Sequence, residues 1–520
     1  MLQALRPNSS RAQRSKMVEL PPPTGGWVTE ENILRSTRGT AVRLENFFPD
    51  ADACRVRAGP IEHSDTGETT PVESLMGYVA PSGSVKYFGV AGGVIYDVTN
   101  TSGVASSITG LGNNRCQHVN FTTAGGSFLW VCNGEDAEVH YNGSTWAAPT
   151  LTGISAGDIA NVNVFKSRLY FCIKNTLKFG YLPTSSIAGT VSLFDLGAEF
   201  SKGGYLIAMG TWTVDGGSGQ DDHAIFITSE GEAAIYQGSD PSDANNWAKV
   251  GVYELPRPIG RRCLLKVGGD LMMITESGVI PISKSLILDK AAVENVAVTK
   301  NIQTAMNSAA QTYKDNFGWQ IIAHPKNIMA MLNIPISEGD QQQQYVMNTV
   351  TGAWCKFTGM NASCWALIQD RLFYGGNDGK VYEANVSGSD NGADIICDMK
   401  LAFDYLGSKG AKKQWKLVQP VINTDGVATP SIGLNVDYND ELPTTSFGTV
   451  TSNNVMLDTF LLDTDYLAGG ETLLRDWVAV TDPPGFACAV RMRVAVNGDS
   501  GPVTLEVNGF NLIYERGNIL

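Results

Sequence analysis

The stretch Arg371-Leu-Phe-Tyr-Gly-Gly-Asn-Asp-Gly-Lys-Val-Tyr382 constrains this chain more than any other, because it recurs. It reads as a β-hairpin. Leu372, Phe373 and Tyr374 form an apolar, β-favouring strand, Gly375 to Gly379 carry turn chemistry, and Lys380-Val-Tyr382 begins the return strand. Counting from Arg371, a glycine falls at offset 8 and an aromatic at offset 11. The same spacing recurs from Val85, with Gly93 and Tyr96. From Asp270 it gives Gly278, and from His223 it gives Gly231 with Tyr236 two places late. A copy from Arg168 keeps Leu169-Tyr-Phe171 and Phe179 but lacks the glycine. Weaker copies run from Phe128 to Tyr141 and from Trp319 to Leu332.

A second element follows several copies: Tyr141 to Trp146, Tyr236 to Trp247 and Tyr345 to Trp354 each place a polar turn between an aromatic and a Trp that opens another strand. Two hairpins make four strands. Repetition of such a unit about every 40–55 residues is the signature of propeller blades. The expected fold is therefore all-β: a β-propeller of six to eight blades, seven being the best count, over 75–395. A β-sandwich or barrel with routine glycine hairpins is the competing reading.

The flanks differ. Residues 1–26 read as an extended basic N-terminal arm, in which Arg6, Arg11, Arg14 and Lys16 are the only charges up to position 16. Pro21-Pro-Pro-Thr-Gly-Gly26 follows as a stiff linker. Residues 27–74 form an N-terminal β segment joining a platform. In it Phe47 and Phe48 precede a proline stop, and Arg55-Val-Arg57 alternates as an edge strand does. Apolar residues at 302, 305, 306, 309, 310 and 313 predict one helical face, a helical insertion near 299–314 that packs locally. Residues 396–520 lose the glycine rhythm. Trp415–Ile422, Ser431–Tyr438, Ala487–Val496 and Val503–Val507 alternate with period two, as in a separate antiparallel β-sandwich or platform domain. Arg491 and Arg493 alternate with Val490, Met492 and Val494, which predicts a strand with one wet or interfacial face.

Composition removes several function classes. The net charge of −14 argues against a broadly basic nucleic-acid surface. The charge is also uneven: the first 16 residues carry +4, which leaves −18 for the rest. Nine cysteines, none in C-x-x-C spacing, suggest buried free thiols made in a reducing cytoplasm. Five scattered histidines show no metal-ligand spacing, so no metal or cofactor is expected. No apolar run is long enough to span a membrane. There is no G-x-S-x-G, P-loop or G-x-G-x-x-G opening a helix, and no catalytic residue is assigned. Asp215 to Asp222 resembles a calcium loop but lacks its register and reads as a blade loop; Gln341 to Gln344 reads as a short polar loop.

Thr24-Gly-Gly-Trp27, Leu44-Glu-Asn-Phe-Phe-Pro49 and Arg55-Val-Arg-Ala-Gly59, with the blade segments Tyr345 to Trp354 and Arg371 to Tyr382, resemble the tail tube nozzle proteins (tail tubular protein B) of short-tailed bacteriophages. The ending Val507-Asn-Gly-Phe-Asn-Leu-Ile-Tyr-Glu-Arg-Gly517 is similar to that family's closing strand. It departs at Glu515-Arg-Gly517, where a glycine pair is expected after the acidic residue. The resemblance implies a non-enzymatic virion protein of the phage tail: a homohexameric ring below the portal adaptor, near which tail fibres attach. Genomic double-stranded DNA is retained by the ring and then leaves through it, without sequence-specific binding. The arm residues Arg6, Arg11, Arg14 and Lys16 would then touch the adaptor or a neighbouring subunit. The alternatives are a tail propeller that binds a receptor or glycan, and a propeller that depolymerises glycan.

Overall fold

The computed structural model describes residues 15–29, 37–215, 220–288, 290–425, 429–446, 472–480, 482–498 and 501–519. The chain divides into two compact units, 58–391 and 1–57 with 392–520.

Unit 58–391 is a β-propeller. Its inner strands are Ser74–Val79, Gln117–Thr123, Ile159–Phe165, Leu206–Asp215, Leu264–Val267, Gln320–His324 and Ala362–Ile368. Each neighbours the next, and the last returns to the first, so the sheets close into a ring. Six of these sheets are four-stranded antiparallel blades. The seventh is three-stranded, Leu264–Val267, Asp270–Thr275 and Gly278–Pro281. The short helix Ile282–Ser285 follows where an outer strand would come. The expected helix forms as Gln303–Tyr313, and its buried Met306, Ala309 and Ala310 pack it locally, against the strands Gly278–Pro281 and Met329–Ser337.

The hairpin rhythm has a plain structural meaning. Gly93, Gly231, Gly278 and Gly379 all sit at the turn between the second and third strands of a blade, with φ between 76° and 112°. In the copy from Arg168 the offset-8 residue is Thr176, and the left-handed position falls one place earlier at Asn175, φ 56°, a region asparagine tolerates better than most residues. The weak copy from Trp319 is out of step: it joins the first and second strands of its blade, and the Trp319 resemblance to the repeat is accidental. Tyr141–Trp146, Tyr236–Trp247 and Tyr345–Trp354 each link third to fourth strands.

The second strands are apolar without alternation because both faces are covered. Tyr87 packs toward the last blade, with Val72, Phe373 and Val381, while its neighbour Phe88 packs toward the second, with Leu129 and Tyr141. Tyr170 and Phe171 repeat this: Tyr170 joins Phe179, Phe226 and Trp247, and Phe171 stacks on Trp130 at 4.9 Å between centroids. Each such ring removed from water contributes about 1.5–3 kcal/mol.

The last blade is completed from the other end of the unit. Gly59–Asp65 pairs with Lys380–Ser387, and Lys380 reaches Glu62 at 2.7 Å. This pairing removes an exposed strand edge. It also sets the unit's start at 58 rather than at the expected 75.

The other unit draws on both ends of the chain. One sheet contains Phe47–Pro49, Cys54–Val56, Leu505–Ile519 and Ala411–Thr424, with Lys16–Leu20 also paired to Leu505–Ile519. A second runs Ala41–Glu45, Ile395–Leu401, Cys488–Val496, Ser431–Val436, Thr445–Ser446. Trp415 to Ile422 therefore belongs here and not to a blade.

Four local expectations are corrected. Lys16 to Leu20 is not free arm but sheet, in register from Lys16 opposite Tyr514 to Leu20 opposite Phe510. Arg55-Val-Arg57 is not an edge strand: it lies between two others, and buried Arg57 donates Nε–H to Asn46 Oδ1 at 2.8 Å. Arg491 is buried while Arg493 is exposed, so their shared strand has no uniformly wet face. Gln341–Asn348 is a strand, not a loop, because the amides of Gln342 and Gln344 have buried partners. Gln344 Nε2 donates to Asn333 Oδ1 at 2.9 Å and to Met360 O at 3.0 Å. The acidic run 215–222 joins the first two strands of its blade, and its residues 216–219 lie outside the described residues.

Candidate functional site: the mouth and chamber of the propeller axis

In a closed ring of sheets, the loops leading into the inner strands and the loops between second and third strands surround the axis on one face. Here they enclose a cavity of about 910 Å3. Below it the inner strands bound a chamber of about 240 Å3, to which every one of the seven sheets or its leading loop contributes.

The mouth carries both signs of charge, largely paired. Arg115 donates to Glu73 at 3.1 Å and Glu338 at 2.6 Å. Arg257 pairs with Glu230 at 2.5 Å and Lys314 with Glu276 at 2.8 Å. Two guanidiniums lie over the Phe317 ring, Arg115 at 4.2 Å and Arg262 at 5.1 Å from its centroid.

The chamber is different. Arg261 and Arg262, at the junction of mouth and chamber, are its only lining residues with a full charge at neutral pH. Arg262 is held by neutral groups: it donates to Ser74 Oγ at 2.8 Å and Cys116 O at 3.2 Å. Burial lowers its pKa. His118 lines the chamber and is exposed there, with protein on all sides of the axis. Desolvation by that protein first, and then the Arg262 charge, push its pKa down to about 4, so its imidazole is neutral near pH 7. Gln117, Asn161, Asn163 and Gln320 add amide groups. Asn163 and Gln320 spend theirs on the walls, donating to Met209 O and Trp365 O at 2.9 and 2.8 Å. The arrangement can hold a small anion. Among the described residues no group of His, Cys, Asp and Glu is placed to hold a metal ion.

Of the basic residues singled out in the sequence, Arg6, Arg11 and Arg14 lie outside the described residues. Lys16 is the exposed first residue of its strand in the other unit, and lines neither mouth nor chamber. Sequence reading missed the Arg261–Arg262 pair. Its one available signal was the density of Pro256-Arg-Pro-Ile-Gly-Arg-Arg262, three arginines in six residues of an acidic chain, immediately before an inner strand.

The fold and axial chamber define a β-propeller protein with a second, two-sheet β unit. No protein-family model matches the chain, and no curated protein matches it. Among solved structures it is similar to BBS1N in its complex with ARL6DN, at 9% identity and a TM-score of 0.39, over 63% of this chain and 98% of that one. It is also similar to the computationally designed Ika8 protein, at 10% identity and a TM-score of 0.36, over 62% and 99%. A third is YCF48 bound to D1 peptide, at 9% identity and 0.34, over 65% and 96%. Among the described residues no helix is long and apolar enough to cross a membrane.

Proposed function

We propose that the chain is a structural protein of a short-tailed phage tail, the nozzle that forms a homohexameric ring below the portal adaptor and through which the genome is retained and then ejected. One observation carries this reading. The terminal segments that bear the family resemblance, far apart in sequence, meet in a single sheet: Phe48 stands opposite Arg55, Cys54 opposite Val507, and Arg55 opposite Glu506. Residues that share a sheet must match one another in register, so a resemblance spread over three such segments is more than a set of separate short matches. The net charge of −14 also suits a wall past which DNA moves, since an acidic surface does not hold phosphates by counterion release.

The test is the mass of the full-length chain by light scattering, alone and with the adaptor of its own phage, followed by electron microscopy of the assembly. A ring of identical subunits is expected. A chain that stays monomeric with the adaptor, and is missing from purified tails, overturns the proposal. In the same series, capsule depolymerisation by the isolated chain would select the enzymatic alternative. Charge-reversed variants of Arg6, Arg11, Arg14 and Lys16 are expected to assemble poorly. If they assemble normally and lose only DNA release, the arm contacts DNA instead.

A further inference from the structure

We propose that the axial chamber is a binding site for a small phosphate-class oxyanion, clamped between Arg261 and Arg262. Charge, partners and size within one propeller define this site, independently of any nozzle role.

Two adjacent, partly buried guanidiniums line a small chamber that has no carboxylate among its lining residues, in a chain of net charge −14. Placing like charges together away from water is costly unless an opposite charge joins them. The nearby acidic groups are otherwise occupied: Glu73 accepts from Arg115, and Glu135 accepts from Asn113 Nδ2 at 2.9 Å. Arg262 has only neutral partners, and Arg261 has no hydrogen-bond or ion-pair partner among the described residues. Arg261 is nonetheless positioned: a Cβ on Gly134 would stand 3.2 Å from its Nη1, so the glycine leaves room for the guanidinium.

The neutral groups complete the site. The side chains of Gln117 and Asn161 face the chamber with no hydrogen-bond partner among the described residues, and Asn161 is buried. An oxyanion with several acceptor oxygens would use two guanidinium forks and these amides together, whereas a halide would use few of them. A volume of about 240 Å3 admits orthophosphate with a few waters, or a compact phosphate monoester. It lies below the roughly 300–1,000 Å3 usual for drug-sized ligands, so nucleotides are too large.

The experiment is calorimetric titration of the full-length chain with inorganic phosphate, with glycerol 3-phosphate and with sodium chloride, together with thermal shifts at matched ionic strength. Saturable binding of phosphate or of the monoester is expected, with no response to chloride. Tighter binding of the monoester would identify an organic phosphate as the ligand, and equal or weaker binding would identify the free ion. Arg261→Gln should weaken binding by about tenfold or more, equivalent to about 1.4 kcal/mol. Lys178→Gln, which is paired with Asp195 outside both mouth and chamber, should leave it within about twofold of wild type. Arg261→Gln removes a side chain without a partner, so the fold survives, and an unchanged circular dichroism spectrum checks this. No saturable signal up to about 10 mM of either phosphate, or equal affinity in the Arg261→Gln protein, overturns the proposal. The chamber lies within one chain, so a failure here leaves the ring assembly untouched, and a failure to form rings leaves this site untouched.

Discussion

Arg491 grips Asp398 at two points, Nε to Oδ1 at 3.0 Å and Nη2 to Oδ2 at 2.6 Å. The two residues lie on neighbouring antiparallel strands, their side chains only 4% and 8% exposed. Around them Lys400 and Arg491 share Asp440, at 3.2 and 2.9 Å, and Arg43 borders Asp398 at 3.9 Å. The contact explains how an arginine can occupy a core position: its charge and its planar donors are matched by one carboxylate.

Breaking this pair should cost much more than replacing it. Asp398→Ala is expected to destabilise the protein by about 3–5 kcal/mol, because it leaves Arg491 buried without its main partner. The double variant Asp398→Leu with Arg491→Met should recover most of that loss. Urea denaturation of the three proteins checks this; equal losses in single and double variants would contradict it.

Gly379 and Gly67 share a φ of +78° but not their surroundings. A Cβ at Gly379 would meet Glu68 O at 1.9 Å, while at Gly67 nothing lies within 4 Å. Gly379 O also accepts from Thr66 N and Thr66 Oγ1 where the last blade is completed. Gly67→Ala should cost about 1–2 kcal/mol, the backbone strain alone. Gly379→Ala should cost clearly more and loosen the pairing of Gly59–Asp65 with Lys380–Ser387, read as faster amide exchange there.

Four histidines have lowered pKa values: His63, His140 and His324 chiefly by burial, and His118, exposed on the axial chamber, by the protein surrounding the axis and by the Arg262 charge. Unfolding returns them to about 6.5, so below that pH the unfolded chain binds more protons than the folded one. Stability is therefore complete above about pH 6.5 and is lost as pH falls, for His118 down to about 4. Melting temperature should decline over that window at constant ionic strength. His118→Gln should flatten part of the decline; a profile with no slope between pH 6.5 and 4 would refute the assignment.

All nine cysteines are buried and free. Burial raises the thiols of Cys116, Cys172, Cys263 and Cys364 to about 12. With thiolate suppressed and access blocked, a thiol reagent should react slowly with native protein and count nine thiols in denatured, unreduced protein. Seven or fewer would require a disulfide.

The sequence by itself determined the repeating unit. The glycine at offset 8 marks a backbone conformation that only the local residue can supply, and a strand apolar on both faces marks burial between two blades. The stripe of Met306, Ala309 and Ala310 likewise needs only its own helix to be legible. What only the tertiary structure decided is which distant segment meets which. Nothing local in Gly59–Asp65 says that it pairs with Lys380–Ser387, and so the start of the propeller could not be placed. Alternation showed Arg491 and Arg493 on one face, but only the tertiary structure, with Asp398 on the neighbouring strand, made one of them buried. The same holds for Gln344, whose amide partners come from Asn333 and Met360. The sequence does not single out Arg261 and Arg262, because a linear pattern records which side a residue takes, not what stands opposite. The ring's closure turns that side into the wall of an axial chamber, and there the missing counter-charge becomes visible.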